Sequence, residues 1–357
     1  GVASVPVSVP VSDKRARATS SGSSSSRSDS DSDSDAKAKA SSKAPPAIDG
    51  DSGKNSSSTK KNRTGAPRSD DIFPMALVLK CQDWSDLGMA GPGMKGMKNY
   101  GNTCFLNSIL QCLMYTPALA QIMVTHDAAA LKGVAALRSH SGQEAVIELF
   151  CTGLKEYWSK SGKRSVHTPL SMVQNMQRVG EQFQMYQQED AHEYLVRLLD
   201  TMHEELLRAN ELTPSDGKIT EATAISRIFG GTFCNELRCK VCSYVSTTHN
   251  CFTDVSMEIT NKVNSVEDAV KAFTKRETLG KGNEWMCDGC KKKVVATKQI
   301  TISTPPAVLV LHLKRFSFMN GFSKVQKHIS FDKNLVLPCS HPNREVPYEL
   351  FGVVVHH

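Results

Sequence analysis

The chain has 357 residues, with 43 Lys and Arg against 36 Asp and Glu, which gives a net charge of +7. This excess is mild and spread along the chain, so it does not indicate nucleic-acid binding. No apolar run is long enough to span a bilayer, and the N-terminus lacks the pattern of a secretory signal. We therefore expect an intracellular protein of the nucleus or cytoplasm, without membrane or nucleic-acid partners. Its eleven cysteines then indicate thiolate chemistry or metal binding rather than disulfides.

The first 70 residues are dominated by Ser, Ala, Lys and Asp, including an alternation of Ser and Asp at 28–35. A segment with so few apolar residues cannot form a core, so we predict a disordered tail at 1–70. We expect ordered structure to begin near Ile72, with a linker at 71–95. Gly91–Gly96 formally matches the dinucleotide motif G-x-G-x-x-G. We reject that interpretation because no strand precedes the match and a proline occupies its turn.

The stretch around Cys104 has the pattern of a helix that begins at a cysteine. Apolar residues recur at three- and four-residue spacing after it, at Phe105, Leu106, Ile109, Leu110 and Leu113. Asn102 or Thr103 is suited to the N-cap, which puts Cys104 in the first turn. Unpaired N–H groups and the helix dipole stabilise a thiolate there, so Cys104 is a candidate nucleophile. The alternative is a small buried cysteine.

Asn99 precedes Cys104 by five residues, across a turn that contains Gly101. Its side-chain N–H2 group is placed to donate to an oxyanion that forms beside the sulfur. The alternative is an ordinary turn-forming residue.

Two further helices follow. The apolar spacing predicts one between Gly142 and Trp158 and a clearer one from Glu189 to Arg208. The second helix begins in a polar segment that contains His192. A histidine one turn into an amphipathic helix is more typical of a hydrogen-bonded structural residue than of a catalytic base.

Two C-x-x-C pairs, Cys239 with Cys242 and Cys287 with Cys290, lie in the strand-like part that begins after Ile225. Four thiolates in this arrangement complete the tetrahedral set that zinc prefers in a structural site. The residues between the pairs include a helical pattern at 265–273. A redox pair or unconnected buried thiols remain as alternatives. Cys234 and Cys251 have no C-x-x-C partner, and His249 is a less favoured substitute ligand.

The last part of the chain is rich in strand patterns. Pro305–Phe318 combines a proline start with an apolar run, which is typical of a central strand. Asn320 and Gly321 form a turn signal. We predict further strands at Lys324–Phe331 and Tyr348–Val355.

Four of these stretches, in this order, resemble motifs of the ubiquitin-specific protease family of cysteine deubiquitinases. The first is Gly96-Met-Lys-Asn-Tyr-Gly-Asn-Thr-Cys-Phe-Leu-Asn-Ser-Ile-Leu-Gln111, which is similar to the Cys box. The second is Gln187-Gln-Glu-Asp-Ala-His-Glu-Tyr-Leu195, with Tyr194 at the family's aromatic position. The paired C-x-x-C motifs and Leu311-His-Leu-Lys-Arg-Phe316 complete the resemblance, which covers about 96–357.

The resemblance implies an α+β, papain-like fold with a thumb at about 96–225, zinc-bearing fingers at 226–300 and a palm at 301–357. It implies that Cys104 attacks the last glycine of ubiquitin and that Asn99 stabilises the oxyanion. It also implies a channel for the ubiquitin tail, formed by Gln188, Asp190, His192 and Glu193.

One departure concerns the general base. The family takes it from a Gly-His-Tyr box, with an Asp or Asn further on, and this sequence ends before both. His356 and His357 match the histidines that precede that box, so we do not assign them the role of base. We expect this chain to be a C-terminally truncated part of a longer protein, and to be nearly inactive by itself.

The function predicted from the sequence is thiol-dependent hydrolysis of the peptide or isopeptide bond at the C-terminal glycine of ubiquitin. The expected partners are ubiquitin and ubiquitinated proteins, and the expected cofactor is structural zinc. A module that binds ubiquitin without cleaving it is the alternative. A nucleic-acid-binding zinc ribbon is a third hypothesis with thin support, since only Lys291–Lys293 gathers positive charge beside a C-x-x-C pair.

Overall fold

The computed structural model describes residues 3–8, 73–81, 84, 95–158, 166–212, 223–280, 282–317, 323–340 and 344–355. Most of the predicted tail and linker lies outside these ranges. Three other features lie outside them as well. These are most of the G-x-G-x-x-G match, the predicted turn at Asn320 and Gly321, and the final residues His356 and His357.

Helices dominate the described residues up to Phe229. The described α-helices are α1 (Met75–Lys80), α2 (Cys104–Met114), α3 (Pro117–Thr125), α4 (Asp127–Ala130), α5 (Val134–Ser141), α6 (Val146–Trp158), α7 (Leu170–Gln174), α8 (Ala191–Ala209), α9 (Ala224–Phe229) and α10 (Val266–Phe273). No single helix in the described ranges is long and apolar enough to cross a membrane. The pair α2 and α3 reaches the required length and apolarity only together, and it is bent by 78°.

The strands are β1 (Ala3–Ser8), β2 (Gly96–Met97), β3 (Val166–His167), β4 (Gly231–Cys239), β5 (Val245–Phe252), β6 (Val255–Glu258), β7 (Glu277–Leu279), β8 (Trp285–Cys287), β9 (Lys292–Val294), β10 (Ala296–Thr304), β11 (Leu311–Lys314), β12 (Phe316–Ser317), β13 (Ser323–Lys324), β14 (Asn334–Cys339) and β15 (Arg344–Val354). The main sheet has the order β5-β4-β10-β14-β15-β1-β11-β6, and β7 also pairs with β10. β6 runs parallel to β11, with Ser256 opposite His312 and Glu258 opposite Lys314. The separate pair β8 and β9 is antiparallel.

The described residues form two large apolar cores and one small one. The largest is formed mainly by the buried faces of α2, α3, α6, α8 and α9. α8 also caps α6, because the buried Glu205 carboxylate accepts hydrogen bonds of 2.9 Å from the backbone N–H groups of Val146 and Ile147. The second core lies between α10 and the sheet and includes Leu309, Leu311, Leu313 and Tyr348. The helical core therefore fixes the beginnings of α2, α6 and α8 relative to one another.

The structure confirms the helices predicted near Val146–Trp158, Glu189–Arg208 and Ser265–Phe273. The predicted strand at Tyr348–Val355 is the second part of β15. Of the strand predicted at Pro305–Phe318, only β11 and β12 form regular strand structure. The residues before β11, at 307–310, are buried but are not in a strand.

The strand predicted at Lys324–Phe331 is wrong. Only Ser323 and Lys324 pair as a strand, opposite β12. The buried Arg315 guanidinium instead donates hydrogen bonds to the carbonyl groups of Val325 and Lys327. These carbonyl groups are thus bound by a side chain rather than by a neighbouring strand.

Candidate active site

Cys104 is the first residue of α2. Its side chain is exposed, whereas the neighbouring Phe105 and Leu106 are buried in the helical core. The Sγ atom lies 3.9 Å from the carbonyl oxygen of Asn102. The core thus anchors the helix and leaves the thiol of its first residue accessible at the helix N-terminus. A second cysteine of α2, Cys112, is less exposed than Cys104, and burial raises its pKa to about 11.

Asn99 stabilises the turn that precedes Cys104 through hydrogen bonds with Thr103. Its Oδ1 atom accepts hydrogen bonds from the backbone N–H of Thr103 at 3.0 Å and from the Thr103 hydroxyl at 3.1 Å. The Thr103 hydroxyl oxygen in turn accepts a hydrogen bond of 3.0 Å from the backbone N–H of Tyr100. Because the acceptor end of the Asn99 amide is fixed in this way, its N–H2 end is the part left to act as a donor.

Tyr186 covers the same turn, and the sequence did not identify it. Its backbone N–H donates to the carbonyl of Gly101 at 3.1 Å, and the Asn102 side chain donates to the Tyr186 carbonyl at 2.8 Å. Gly101 has φ +85°, and a Cβ atom there would lie 2.4 Å from the Tyr186 ring. Tyr186 is nevertheless 74% exposed. Its position before the polar segment Gln187–Tyr194 was the only available signal.

The first turn of α8 packs beside α2. Asp190 is the N-cap, and its Oδ1 accepts hydrogen bonds from the backbone N–H groups of His192 at 2.7 Å and Glu193 at 3.1 Å. The buried Tyr194 ring meets Phe105 edge-on, with 5.4 Å between the ring centroids. The structure therefore brings the predicted residues Asp190, His192 and Glu193 to the helix turn that packs against the residue next to Cys104. Gln188 lies in the exposed segment just before this turn.

His192 is hydrogen-bonded, as its position in an amphipathic helix predicted. Its Nε2 atom lies 2.9 Å from Oδ2 of Asp254. Ser256 also donates to that carboxylate oxygen, at 3.2 Å, and its hydroxyl lies 2.9 Å from Nδ1 of His312. Asp254, Ser256 and His312 were not identified from the sequence, because they are separated from His192 by 62 residues or more.

The four cysteines of the C-x-x-C pairs come together at the ends of two hairpins, as the sequence predicted. The sulfur atoms of Cys239, Cys242, Cys287 and Cys290, which we call the cysteine cluster, all lie within 4.8 Å of one another. Cys234, Cys251 and His249 are not part of this group. Among the described residues, this is the one group of Cys, His, Asp and Glu with the geometry of a metal site.

The local geometry of the cysteine cluster suits a metal ion. The backbone N–H groups of Val241 and Cys242 both donate to Sγ of Cys239 at 3.3 Å. These bonds, that from Cys242 above all, lower the pKa of Cys239 to about 7. The Cys242 and Cys287 sulfur atoms are 3.6 Å apart. Zinc–sulfur bonds of about 2.3 Å in a tetrahedron require sulfur separations close to this one.

Comparisons with known proteins agree with these features. Residues 95–357 match the family model described as ubiquitin carboxyl-terminal hydrolase. A 36% identity over 270 residues relates the chain to the probable ubiquitin carboxyl-terminal hydrolase 16 of Schizosaccharomyces pombe, covering 74% of this chain and 56% of that protein. Identity to the human ubiquitin carboxyl-terminal hydrolase 42 is 34% over 298 residues, covering 82% and 21% of the two chains. The chain thus spans about half the length, or less, of these curated relatives.

Solved structures show the same fold. A chain in the SAGA DUB module with Ubp8, Sgf11, Sus1 and Sgf73 bound to ubiquitin aldehyde superposes with a TM-score of 0.55 and 24% identity, covering 73% of this chain and 54% of that one. A second such module, with a variant of Ubp8 and bound to monoubiquitin, gives a TM-score of 0.57 at 23% identity, with coverages of 74% and 60%. From its match to the family model and its curated relatives, this chain belongs to the ubiquitin carboxyl-terminal hydrolase family of cysteine-type ubiquitinyl hydrolases.

Proposed function

We propose that residues 96–357 form the catalytic domain of a deubiquitinase, with a thumb at 96–225, fingers at 226–300 and a palm at 301–357. The observation that carries the proposal is the exposed Cys104 at the start of a helix whose apolar face is anchored in the core. Its substrates are ubiquitinated proteins. We place its action in the nucleus or cytoplasm, where thiols stay reduced.

In the proposed reaction, the Cys104 thiolate attacks the carbonyl carbon of the last glycine of ubiquitin. An S–C bond forms, and the carbonyl oxygen takes up the negative charge. Asn99 donates its side-chain N–H2 to that oxygen, since its own carbonyl is held by Thr103. The C–N bond then breaks, the amine leaves with a proton, and water hydrolyses the thioester to restore the thiol.

The proton transfers require a histidine base. We assign none of the described histidines to this role. Reaction of Cys104 with an activated substrate does not depend on that assignment.

We further propose that ubiquitin binds with its tail along the start of α8, beside Gln188, Asp190, His192 and Glu193. The carboxylates of Asp190 and Glu193 are partly available to that tail, since both residues are exposed. The two similar solved structures are complexes of a related fold with ubiquitin aldehyde and with monoubiquitin. These complexes support the choice of ubiquitin as the ligand.

The proposed cofactor is a structural zinc ion held by the cysteine cluster. The ion would join the β4–β5 hairpin to the β8–β9 hairpin and would not take part in the reaction. The converging sulfur atoms and the N–H groups directed at Cys239 support this assignment.

The test uses ubiquitin that carries a thiol-reactive electrophile at its C-terminus, with adduct formation followed by mass spectrometry. We expect a covalent adduct on Cys104, which Cys104→Ser abolishes. Cys112→Ser is the matched control in the same helix and should leave the adduct unchanged. The reaction should be run with this chain and with the longest chain that its gene encodes.

Absence of an adduct from both chains, with ubiquitin still bound, would replace this proposal with the non-catalytic ubiquitin-binding module. Failure of both chains to bind ubiquitin would remove either function.

A further inference from the structure

A cluster of four polar side chains joins α8 to the strands β6 and β11. It consists of His192 in the first turn of α8, Asp254 just before β6, Ser256 in β6 and His312 in β11. We call it the histidine clasp. Its hydrogen bonds measure 2.9 Å between His192 and Asp254, 3.2 Å between Ser256 and Asp254, and 2.9 Å between Ser256 and His312.

The direction of each hydrogen bond follows from the carboxylate, which can only accept. The Nε2–H group of His192 and the Ser256 hydroxyl therefore both donate to Asp254. Because the Ser256 proton is used there, its oxygen accepts from Nδ1–H of His312. Two donors thus bind one partly buried carboxylate, and His312 is joined to it through Ser256. Loss of the carboxylate would remove the acceptor of both His192 and Ser256.

The two imidazole rings are also in direct contact. Their centroids are 3.6 Å apart and their planes differ by 13°. Burial, followed by the nearby His192, lowers the pKa of His312 to about 4. Burial raises the pKa of Asp254, but hydrogen bonds and charge from His192, with Ser256 and His312, lower it overall. The other charged groups that act on His312 are Asp190, Asp254 and Lys314.

The same turn of α8 contacts the helix of the nucleophile. Tyr194 lies two residues after His192, and its ring packs against Phe105, the neighbour of Cys104. On its other side, His192 holds Asp254 of the strand region. The start of α8 therefore lies between α2 and the β6–β11 pair and is attached to both.

Resting on the proposed function, we propose that the histidine clasp is a positioning device. It fixes the start of α8 relative to β6 and β11, and thereby keeps the groove for the ubiquitin tail at the width that binding requires. His312, Ser256 and Asp254 act through His192 and need not touch the tail.

The test measures the affinity of fluorescent ubiquitin for this chain, and of ubiquitin that lacks its last four residues, at neutral pH. Asp254→Asn should weaken binding of complete ubiquitin about tenfold, since the hydrogen bonds from His192 and Ser256 lose their charged acceptor. It should leave the shortened ubiquitin unaffected. His192→Leu should reproduce this loss, and the double variant should lose no more than either single variant.

Two further variants separate the role of the clasp from general effects. His192→Gln keeps an N–H donor for Asp254 and should recover most of the affinity lost in His192→Leu. Glu258→Ala is the matched control, because Glu258 and Lys314 form a 2.8 Å ion pair two register positions further along the same two strands. It should change neither affinity.

An equal loss of affinity for both forms of ubiquitin would overturn the inference, because it would indicate general damage to the fold. Unchanged affinity for complete ubiquitin in both Asp254→Asn and His192→Leu would overturn it as well. If Asp254→Asn fails to fold, His192→Leu and His192→Gln decide the question. Failure of the unaltered chain to bind either form would overturn the proposed function, and this inference with it.

Discussion

The turn at residues 99–104 and the cysteine cluster both present cysteines at turns, but they differ in what lies beneath them. α2 continues from the first turn into the larger core. The buried residues that the structure describes at the cysteine cluster are only Cys239, Cys287 and Val294. So small a core contributes little burial free energy, and other interactions must hold the two hairpins together. Cys104 is therefore accessible because a large core supports its helix. The two hairpins that bear the cysteine cluster have only a small core of their own.

The largest effect should come from the cysteine that the core leaves accessible. Cys104→Ala, made in the longest chain that the gene encodes, should reduce hydrolysis at least about 10⁴-fold, because the nucleophile is lost. Ubiquitin binding should persist. Steady-state kinetics with a fluorogenic ubiquitin substrate and a binding titration measure the two quantities, and retained hydrolysis would contradict our choice of nucleophile.

Removing the proposed zinc ligands should increase hydrogen exchange near the cysteine cluster and leave the helical region unchanged. The combined Cys239→Ser and Cys287→Ser change should release bound zinc and increase hydrogen exchange in β8 and β9, since little apolar burial remains there. Exchange in α2, α6 and α8 should be unchanged. Cys234→Ser, a change outside the cluster in the same sheet, is the control. Zinc content that equals that of the unaltered chain would rule out these ligands.

Gly101→Ala tests the turn itself. The new Cβ would meet the Tyr186 ring, and the φ of +85° is strained for any residue with a side chain. We expect a loss of about 1–2 kcal/mol in the free energy of unfolding from the backbone conformation, and slower alkylation of Cys104 by iodoacetamide. Gly96→Ala is the control, since a Cβ there meets nothing within 4 Å. Equal alkylation rates for both variants would show that the turn does not control Cys104.

The histidine clasp predicts a dependence of stability on pH. The pKa of His312 is lowered from 6.5 to about 4. Between these values the unfolded chain binds a proton that the folded chain does not, so the free energy of unfolding should decrease as the pH falls from 6.5 towards 4. His312→Gln should reduce this decrease. Urea unfolding at several pH values measures it, and identical slopes for the two proteins would contradict the prediction.

The smallest effect is expected at Tyr194. Its hydroxyl is buried and, among the described residues, has no hydrogen-bond partner. Tyr194→Phe keeps the ring against Phe105 and removes the unpaired group, so stability should be unchanged or slightly higher. Tyr194→Leu, which also removes the aromatic contact, should be destabilising. A marked loss of stability in Tyr194→Phe would mean that the hydroxyl has a partner such as water.

Short-range patterns in the sequence predicted what a few consecutive residues decide. The spacing of apolar residues predicted α2, α6, α8 and α10, and the two C-x-x-C pairs predicted the cysteine cluster. These predictions succeed because helical periodicity, and the short distance between the two sulfur atoms of a C-x-x-C pair, are local properties. β14 was missed, and the strand at Lys324–Phe331 was wrong, because pairing with distant segments decides which extended residues become strands.

The sequence by itself thus determined the family, the candidate nucleophile and the four candidate metal ligands. Only the tertiary structure brought Tyr186 over Gly101 and joined His192 to Asp254 and His312. Those contacts depend on how α8 packs between α2 and the sheet. No local pattern encodes that packing, because the partners are far apart in the chain and are brought together only when the two cores form.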